Sequence, residues 1–325
     1  MKAVALFSGG LDSILAIKLI QKQGIDVIAV SFRSPFFVND EKKKKLEKVA
    51  KKEKFKIKFI ELRNDYLRLV KDPKYGHGRN INPCIDCHAF MLRKAKKYAD
   101  DIKAKFIFTG EVLNERPMSQ NLGSLNIVAK EARLKGKILR PLSAKLLEKT
   151  EAEERGYVDR SKLLDINGRS RKKQIFLAKK FKLREFENPA GGCLLTCEGY
   201  AKKLKDLFRH SRRIDRKEVE LLKIGRHFRF GSNKIIVGRN KEDNEVLEKV
   251  RAKMDYIFMV EGFQGPITLL KGKKTKDAIR IAASLTARYS DANLKKIKVK
   301  YGQKKINKKV FVQPICDKDI EIMRI

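Results

Sequence analysis

Tryptophan is absent from the 325 residues, and aromatic side chains make up only 8% of them. With so few rings, nucleic-acid binding by extensive base stacking is disfavoured. No apolar run approaches the roughly 18 residues of a membrane span, so nothing is expected to span a membrane. The five cysteines (Cys84, Cys87, Cys193, Cys197 and Cys316) are too few and too unevenly spaced for a disulfide scaffold. The opening MKAVALFSGG sets one lysine before a short apolar stretch that runs into a glycine turn. It reads as a first strand and not a signal peptide, and a cytoplasmic location is expected. Acidic residues are also scarce: 39 Asp+Glu face 77 Lys+Arg, a formal charge of +38. That excess predicts contact with a long polyanion; RNA, DNA and an acidic membrane surface all qualify.

Apolar residues reach 42%, enough for real cores, and the length favours two domains. Strand patterns at Ala3–Phe7, Val27–Phe32, Phe55–Glu61, Lys105–Thr109 and Lys137–Arg140 alternate with helical patterns at Ser13–Gln21, Glu41–Lys54 and Ala89–Tyr98. Alternation of this kind predicts an α/β fold, a Rossmann-like doubly wound parallel sheet, with its ligand at the carboxyl ends of the strands. Thr150–Phe181 reads as mostly helical, followed by a turn at Asn188–Gly192 and a basic helix at Tyr200–His210. SRRIDR then reads as a linker. Beyond it, short strand patterns and one helix, Thr275–Tyr289, predict a second, small α+β domain. The expected domains are 1–215 and 216–325.

SGGLDS (Ser8–Ser13) follows the first strand and opens the first helix. Gly9 and Gly10 allow close approach of an anion to backbone N–H groups, and Ser8 and Ser13 add hydroxyls. Asp12 can hold Mg²⁺ on bound phosphates. There is no GxxxxGK[ST] and no GxGxxG, and the blander reading is an ordinary strand-to-helix turn. The loop resembles the pyrophosphate loop of the PP-loop ATP pyrophosphatases, which adenylate an oxygen and release pyrophosphate. TGEVLNERPMSQN (Thr109–Asn121) resembles a segment of the tRNA 4-thiouridine synthetases. NPCIDCHAFMLRKA (Asn82–Ala95) is similar to a segment of the tRNA 2-thiouridylases, departing at His88, where Asn is usual. The resemblance covers about residues 1–200. It implies an adenine nucleotide alpha-hydrolase-like fold, ATP as cofactor, catalytic roles for Cys87, Cys193 and Asp12, and nucleotide-side or structural roles for Gly110 and Glu111. Lys145, in RPLSAK, is one lysine that can absorb phosphate charge, although a solvated lysine is the default in so basic a chain.

Cys84 and Cys87 sit on a turn entering a helix, where the dipole is expected to lower a thiol pKa. Cys193 and Cys197 flank LLT. The metal candidates are Cys84, Cys87 and Cys193, with Cys197 an alternative third ligand. Thiolating PP-loop enzymes with a [4Fe–4S] cluster on three cysteines resemble this pattern. A Cys87/Cys193 persulfide or disulfide pair, a structural Zn²⁺ and plain core cysteines stay open.

IIVGRNKEDNEVLEKV (Ile235–Val250) and AIRIAASLTARYSDA (Ala278–Ala292) resemble the NFACT-R domain, an RNA-associated module. Arg226, Arg229, Lys234, Arg239 and Lys241 cluster there as RNA-binding candidates, with Phe228 and Phe230 read as core and Arg229 on the wet face. The expected activity is ATP-dependent tRNA uridine thiolation, with tRNA and a sulfur donor (a carrier protein or free sulfide) as partners; a homodimer is allowed. The alternatives are a regulatory or non-catalytic tRNA- or ribosome-binding factor, and a PP-loop sulfur transferase acting on a small molecule.

Overall fold

The computed structural model describes residues 1–183, 185–186, 193–211, 214–303 and 305–325. The chain forms two compact units, Met1–Cys197 and Glu198–Ile325. The turn expected at Asn188–Gly192 lies outside the described residues, as does part of the SRRIDR linker.

The first unit begins with β1 (Lys2–Leu6), α1 (Leu11–Gln21), β2 (Asp26–Arg33), α2 (Asp40–Lys52) and β3 (Lys56–Glu61). It continues through α3 (Asn64–Lys71), α4 (Cys84–Asp101), β4 (Phe106–Thr109), α5 (Leu122–Glu131) and β5 (Ile138–Leu139), then α6 (Glu151–Glu154) and α7 (Lys172–Lys180). The five strands are parallel, in the order β3-β2-β1-β4-β5. Ala3, Val4 and Ala5 of β1 are buried on both sides, the mark of a central strand covered by two helical layers. Strand order reverses between β1 and β4, and the crevice outside their carboxyl ends is where such sheets take ligands. The SGGLDS loop and Gly110 lie there.

Thr150–Phe181 is not mostly helical. Only α6 and α7 are α-helices, separated by a short 3₁₀ turn at Arg160–Lys162 and a single parallel bridge from Asn167 to Leu113. Gly156 and Gly168, at φ 69° and 83°, break the helix, since that backbone region suits glycine and ends an α-helix.

The second unit contains α8 (Glu198–His210), α9 (Arg216–Leu221), β6 (Arg226–Phe230), β7 (Asn233–Val237), α10 (Lys241–Val250) and β8 (Tyr256–Val260). It ends with β9 (Thr268–Lys271), α11 (Lys276–Arg288), β10 (Ile297–Gly302), β11 (Lys308–Val312) and α12 (Asp317–Met323). Its sheet is antiparallel, in the order β11-β10-β8-β9-β7-β6. Ala278, Ala282 and Leu285 of α11 pack on Phe228, Phe258 and Val299 across one face. Leu221 of α9 and Leu247 of α10 cover Ile236, Ile257 and Leu269 on the other. No helix among the described residues is long and apolar enough to cross a membrane.

Candidate nucleotide and thiol site

Gly10 is the N-cap of α1, and no side chain caps that helix. Gly9 sits at φ 87°, a left-handed turn open to glycine. The Ser13 hydroxyl donates to the Gly10 carbonyl at 2.7 Å, and the Gly10 N–H donates to Ser8 Oγ at 3.3 Å. The loop is thus held by its own serines while the helix N-terminus stays available to an anion. Gly110, just after β4, presses on this turn: a Cβ there would lie 2.6 Å from Ser13 Cα and N. Ser8, Gly9, Gly10, Asp12, Ser13 and Gly110 therefore come together as one surface.

Asp12 lies on the first turn of α1. Burial pushes its carboxyl up, with Arg171 pulling the other way. Its Oδ1 is buried without a hydrogen-bond partner, an orphaned acceptor that a Mg²⁺ ion on bound phosphates would satisfy. Glu111 faces inward instead. It accepts from Thr109 Oγ1 at 2.9 Å and Arg140 Nε at 3.0 Å, and pairs with His88 Nδ1 at 3.0 Å. Burial alone would push this carboxyl up; Arg140 and the His88 and Thr109 contacts overrule it and hold it down to about 2. Lys145 is exposed on a 3₁₀ turn, where its charge acts on Asp165 and it is not among the groups around Asp12.

Cys84 is the first residue of α4, and Pro83 is its N-cap. Cys87, one turn on, is buried with its Sγ 3.0 Å from Tyr66 Oη. Cys193 is brought to the same place by its neighbours. Leu194 N–H bonds the Phe36 carbonyl at 3.1 Å, the Asn80 amide bonds the Thr196 carbonyl at 2.7 Å, and Ile81 N–H bonds the Leu195 carbonyl at 3.3 Å. The expected lowering of thiol pKa does not occur. Burial pushes Cys87 up to about 12 and Cys193 up to about 11, and it raises Cys84 against the pull of Arg116. Desolvation outweighs the helix dipole. The three thiols are close enough to act on one another electrostatically, whereas Cys197 is exposed. Among the described residues no three His, Cys, Asp or Glu side chains are placed to hold one metal ion. Cys316 is exposed near the C-terminus, not packed as a lone apolar thiol would be; its Sγ–H donates to Asp319 Oδ2 at 3.2 Å.

In the second unit Phe228 is fully buried and Phe230 joins the same core, as expected. The basic cluster is largely committed to the unit's own structure. Arg229 grips the Asp206 carboxylate of α8 through Nε and Nη2, so it is not a free cation on a wet face. Lys234 is buried, and desolvation lowers it to about 8. Arg239 pairs with Asp243 at 2.7 Å, and Arg226 lies 4.5 Å from the Tyr289 ring while donating to the Gly238 carbonyl at 3.2 Å. Lys241 is exposed at the start of α10. The sequence reading missed Arg171 and Glu115 beside Asp12, and Arg140 beneath Glu111. Nothing in their local spacing announces them; Arg171 lies 159 residues from the carboxylate it faces.

Residues 1–154 match the family model of the thiamine biosynthesis protein ThiI, and residues 225–323 match the NFACT protein RNA binding domain. An uncharacterized protein of Methanocaldococcus jannaschii is 34% identical over 112 residues, covering 34% of this chain and 41% of that protein. A probable tRNA sulfurtransferase of Methanothermobacter thermautotrophicus is 31% identical over 159 residues, covering 47% of this chain and 38% of that protein. The chain thus spans about two fifths of the length of these two relatives. Among solved structures, the U34-tRNA thiolase NcsA of Methanococcus maripaludis with its [4Fe–4S] cluster aligns at 16% identity and a TM-score of 0.35, over 64% of this chain and 65% of that one. Residues 1–154, which carry the SGGLDS loop, are thus similar to the ThiI family, and residues 225–323 are similar to the NFACT RNA binding domain.

Proposed function

We propose that this protein is an ATP-dependent tRNA sulfurtransferase that acts in the cytoplasm. The observation that carries the reading is the meeting of an uncapped, glycine-lined helix N-terminus with an unpartnered Asp12 oxygen at the switch point of a parallel sheet. This geometry suits a triphosphate and its cation. A uracil oxygen is a poor leaving group. Attack of that oxygen on the α-phosphorus of ATP expels pyrophosphate and leaves an AMP ester; a sulfur nucleophile then displaces AMP at the same carbon. The loop of Ser8–Ser13 would hold the phosphates for the first step, and Asp12 would hold Mg²⁺. The charge of +38 and the NFACT match support RNA as the substrate. The sulfur donor would be a carrier protein or free sulfide.

Cys84, Cys87 and Cys193 are the residues that would hold a [4Fe–4S] cluster. Three soft donors, one buried and two half-buried, suit that group, whose ligands need not meet at one ion. Bound there, the cluster would supply an iron for sulfide. The high thiol pKa values disfavour Cys87 or Cys193 as a free nucleophile at neutral pH. The test uses anaerobically purified protein with ATP, tRNA and sulfide. Pyrophosphate release should depend on tRNA, mass spectrometry should find a thiolated uridine, and iron should be about four per chain. Asp12→Ala should abolish pyrophosphate release and leave tRNA affinity within a few-fold. Release that ignores tRNA, or that survives in Asp12→Ala, sinks the reading.

A further inference from the structure

The segment between α6 and α7, with the first turn of α7, brings Arg171 and Gln174 to the β1–α1 loop. Its path is fixed by the exit of β4: the Gly168 N–H bonds the Leu113 carbonyl at 2.8 Å, and the Asn114 amide bonds Asn167 Oδ1 at 3.0 Å. Three residues later Arg171 caps α7. Its guanidinium lies 3.6 Å from the Asp12 carboxylate and 3.8 Å from Glu115, with only 18% of the side chain exposed.

Neither contact is a hydrogen bond. Arg171 Nε and Asp12 Oδ1 are both buried without a hydrogen-bond partner. Gln174, on the first turn of α7, is 0% exposed and lies close enough to Asp12 to help hold its carboxyl down, yet neither of its amide atoms has a hydrogen-bond partner of good geometry. Native proteins satisfy nearly all buried polar atoms, so several orphans around one spot mark the place of a missing ligand. The charges say which kind. A guanidinium is a fork of donors suited to phosphate oxygens, and here it stands across from a helix N-terminus that also wants an anion. Held between two carboxylates at loose distances, it compensates their charge without spending its hydrogen bonds.

We propose that Arg171 is a phosphate-binding residue of the nucleotide site, contacting the pyrophosphate side of ATP. Its guanidinium exchanges Asp12 and Glu115 for phosphate oxygens when the nucleotide binds, which frees Asp12 for the accompanying cation. This rests on the nucleotide reading above, and the experiment separates the two. Binding of ATP, pyrophosphate and AMP to the full-length protein is measured by calorimetry, in Mg²⁺ and without RNA. Arg171→Ala should weaken ATP and pyrophosphate by about ten-fold or more, the usual scale for a lost charge-assisted hydrogen bond, and should leave AMP within about two-fold. Arg171→Lys, which keeps the charge facing Asp12 and loses the fork, should fall between the two and serves if the alanine variant does not fold. Equal loss of ATP and AMP, or wild-type ATP affinity in both variants, overturns the proposal alone. A wild-type protein that binds neither ATP nor pyrophosphate overturns the nucleotide reading, and this proposal with it.

Discussion

Glu111 shows how one carboxylate can be fully occupied by structure at the edge of a functional site. Its oxygens serve Thr109, His88 and Arg140, and Arg140 is itself only 8% exposed. Glu111→Gln would leave that guanidinium buried and uncompensated, a change that costs about 3–5 kcal/mol. Urea unfolding at neutral pH should show a loss of that size, and an unchanged midpoint would mean the pair is solvated. The pH dependence follows from the same residue. The carboxyl falls from an ordinary 4.5 to about 2 on folding, so its stabilisation is complete above 4.5 and drains away as the pH drops through 2. Glu111→Gln should flatten this part of the acid limb. The sequence placed Thr109, Gly110 and Glu111 at the end of a strand and left their roles between nucleotide side and structure. Only the fold shows that α4 and the exit of β5 supply the partners, because those residues are 23 and 29 positions away.

Among the elements, β1–α1 and β4 depend on one glycine. A methyl group on Gly110 would meet the backbone of Ser13 and Asp12, not a flexible side-chain tip, so either α1 or β4 must shift. Gly110→Ala should cost about 1–3 kcal/mol, as overpacking does. Titration should also show ATP affinity falling about ten-fold, because the displaced atoms form the phosphate loop. Retained affinity would mean that the loop tolerates the shift. The parallel strands were legible to within a residue or two, since most are short apolar runs after a turn and β3 alternates lysine with apolar residues. The region before α7 was not. Its charged residues suit a helix, but Gly156 and Gly168 turn the chain, and its real task is to lie beside Leu113 and deliver Arg171. The basic cluster on β6 and β7 was misread for a related reason. Alternation correctly put Phe228 inside, yet it cannot reveal that Asp206, on a helix 23 residues earlier, claims Arg229.

On the scale of the whole molecule, the contacts divide the chain at Cys197 and Glu198, before α8 begins. Tyr200, Ala201, Leu204 and Leu207 of α8 are buried. The Tyr200 hydroxyl donates to the Val219 carbonyl at 3.1 Å, Lys203 reaches the Leu222 carbonyl at 3.2 Å, and Asp206 holds Arg229. A fragment ending at Cys197 should therefore sediment as a monomer with a cooperative melt. One ending at Asp215 carries an apolar helical stripe with its partners deleted, and it should self-associate. Identical sedimentation of the two would show that α8 needs none of those partners. A consequence reaches past this single chain. The stretch matching an RNA binding domain begins at residue 225, but the piece that can be transplanted intact begins at 198. Any recombination that joined such a module to a new catalytic neighbour, in the laboratory or in a genome, would have had to carry α8 and α9 along as luggage.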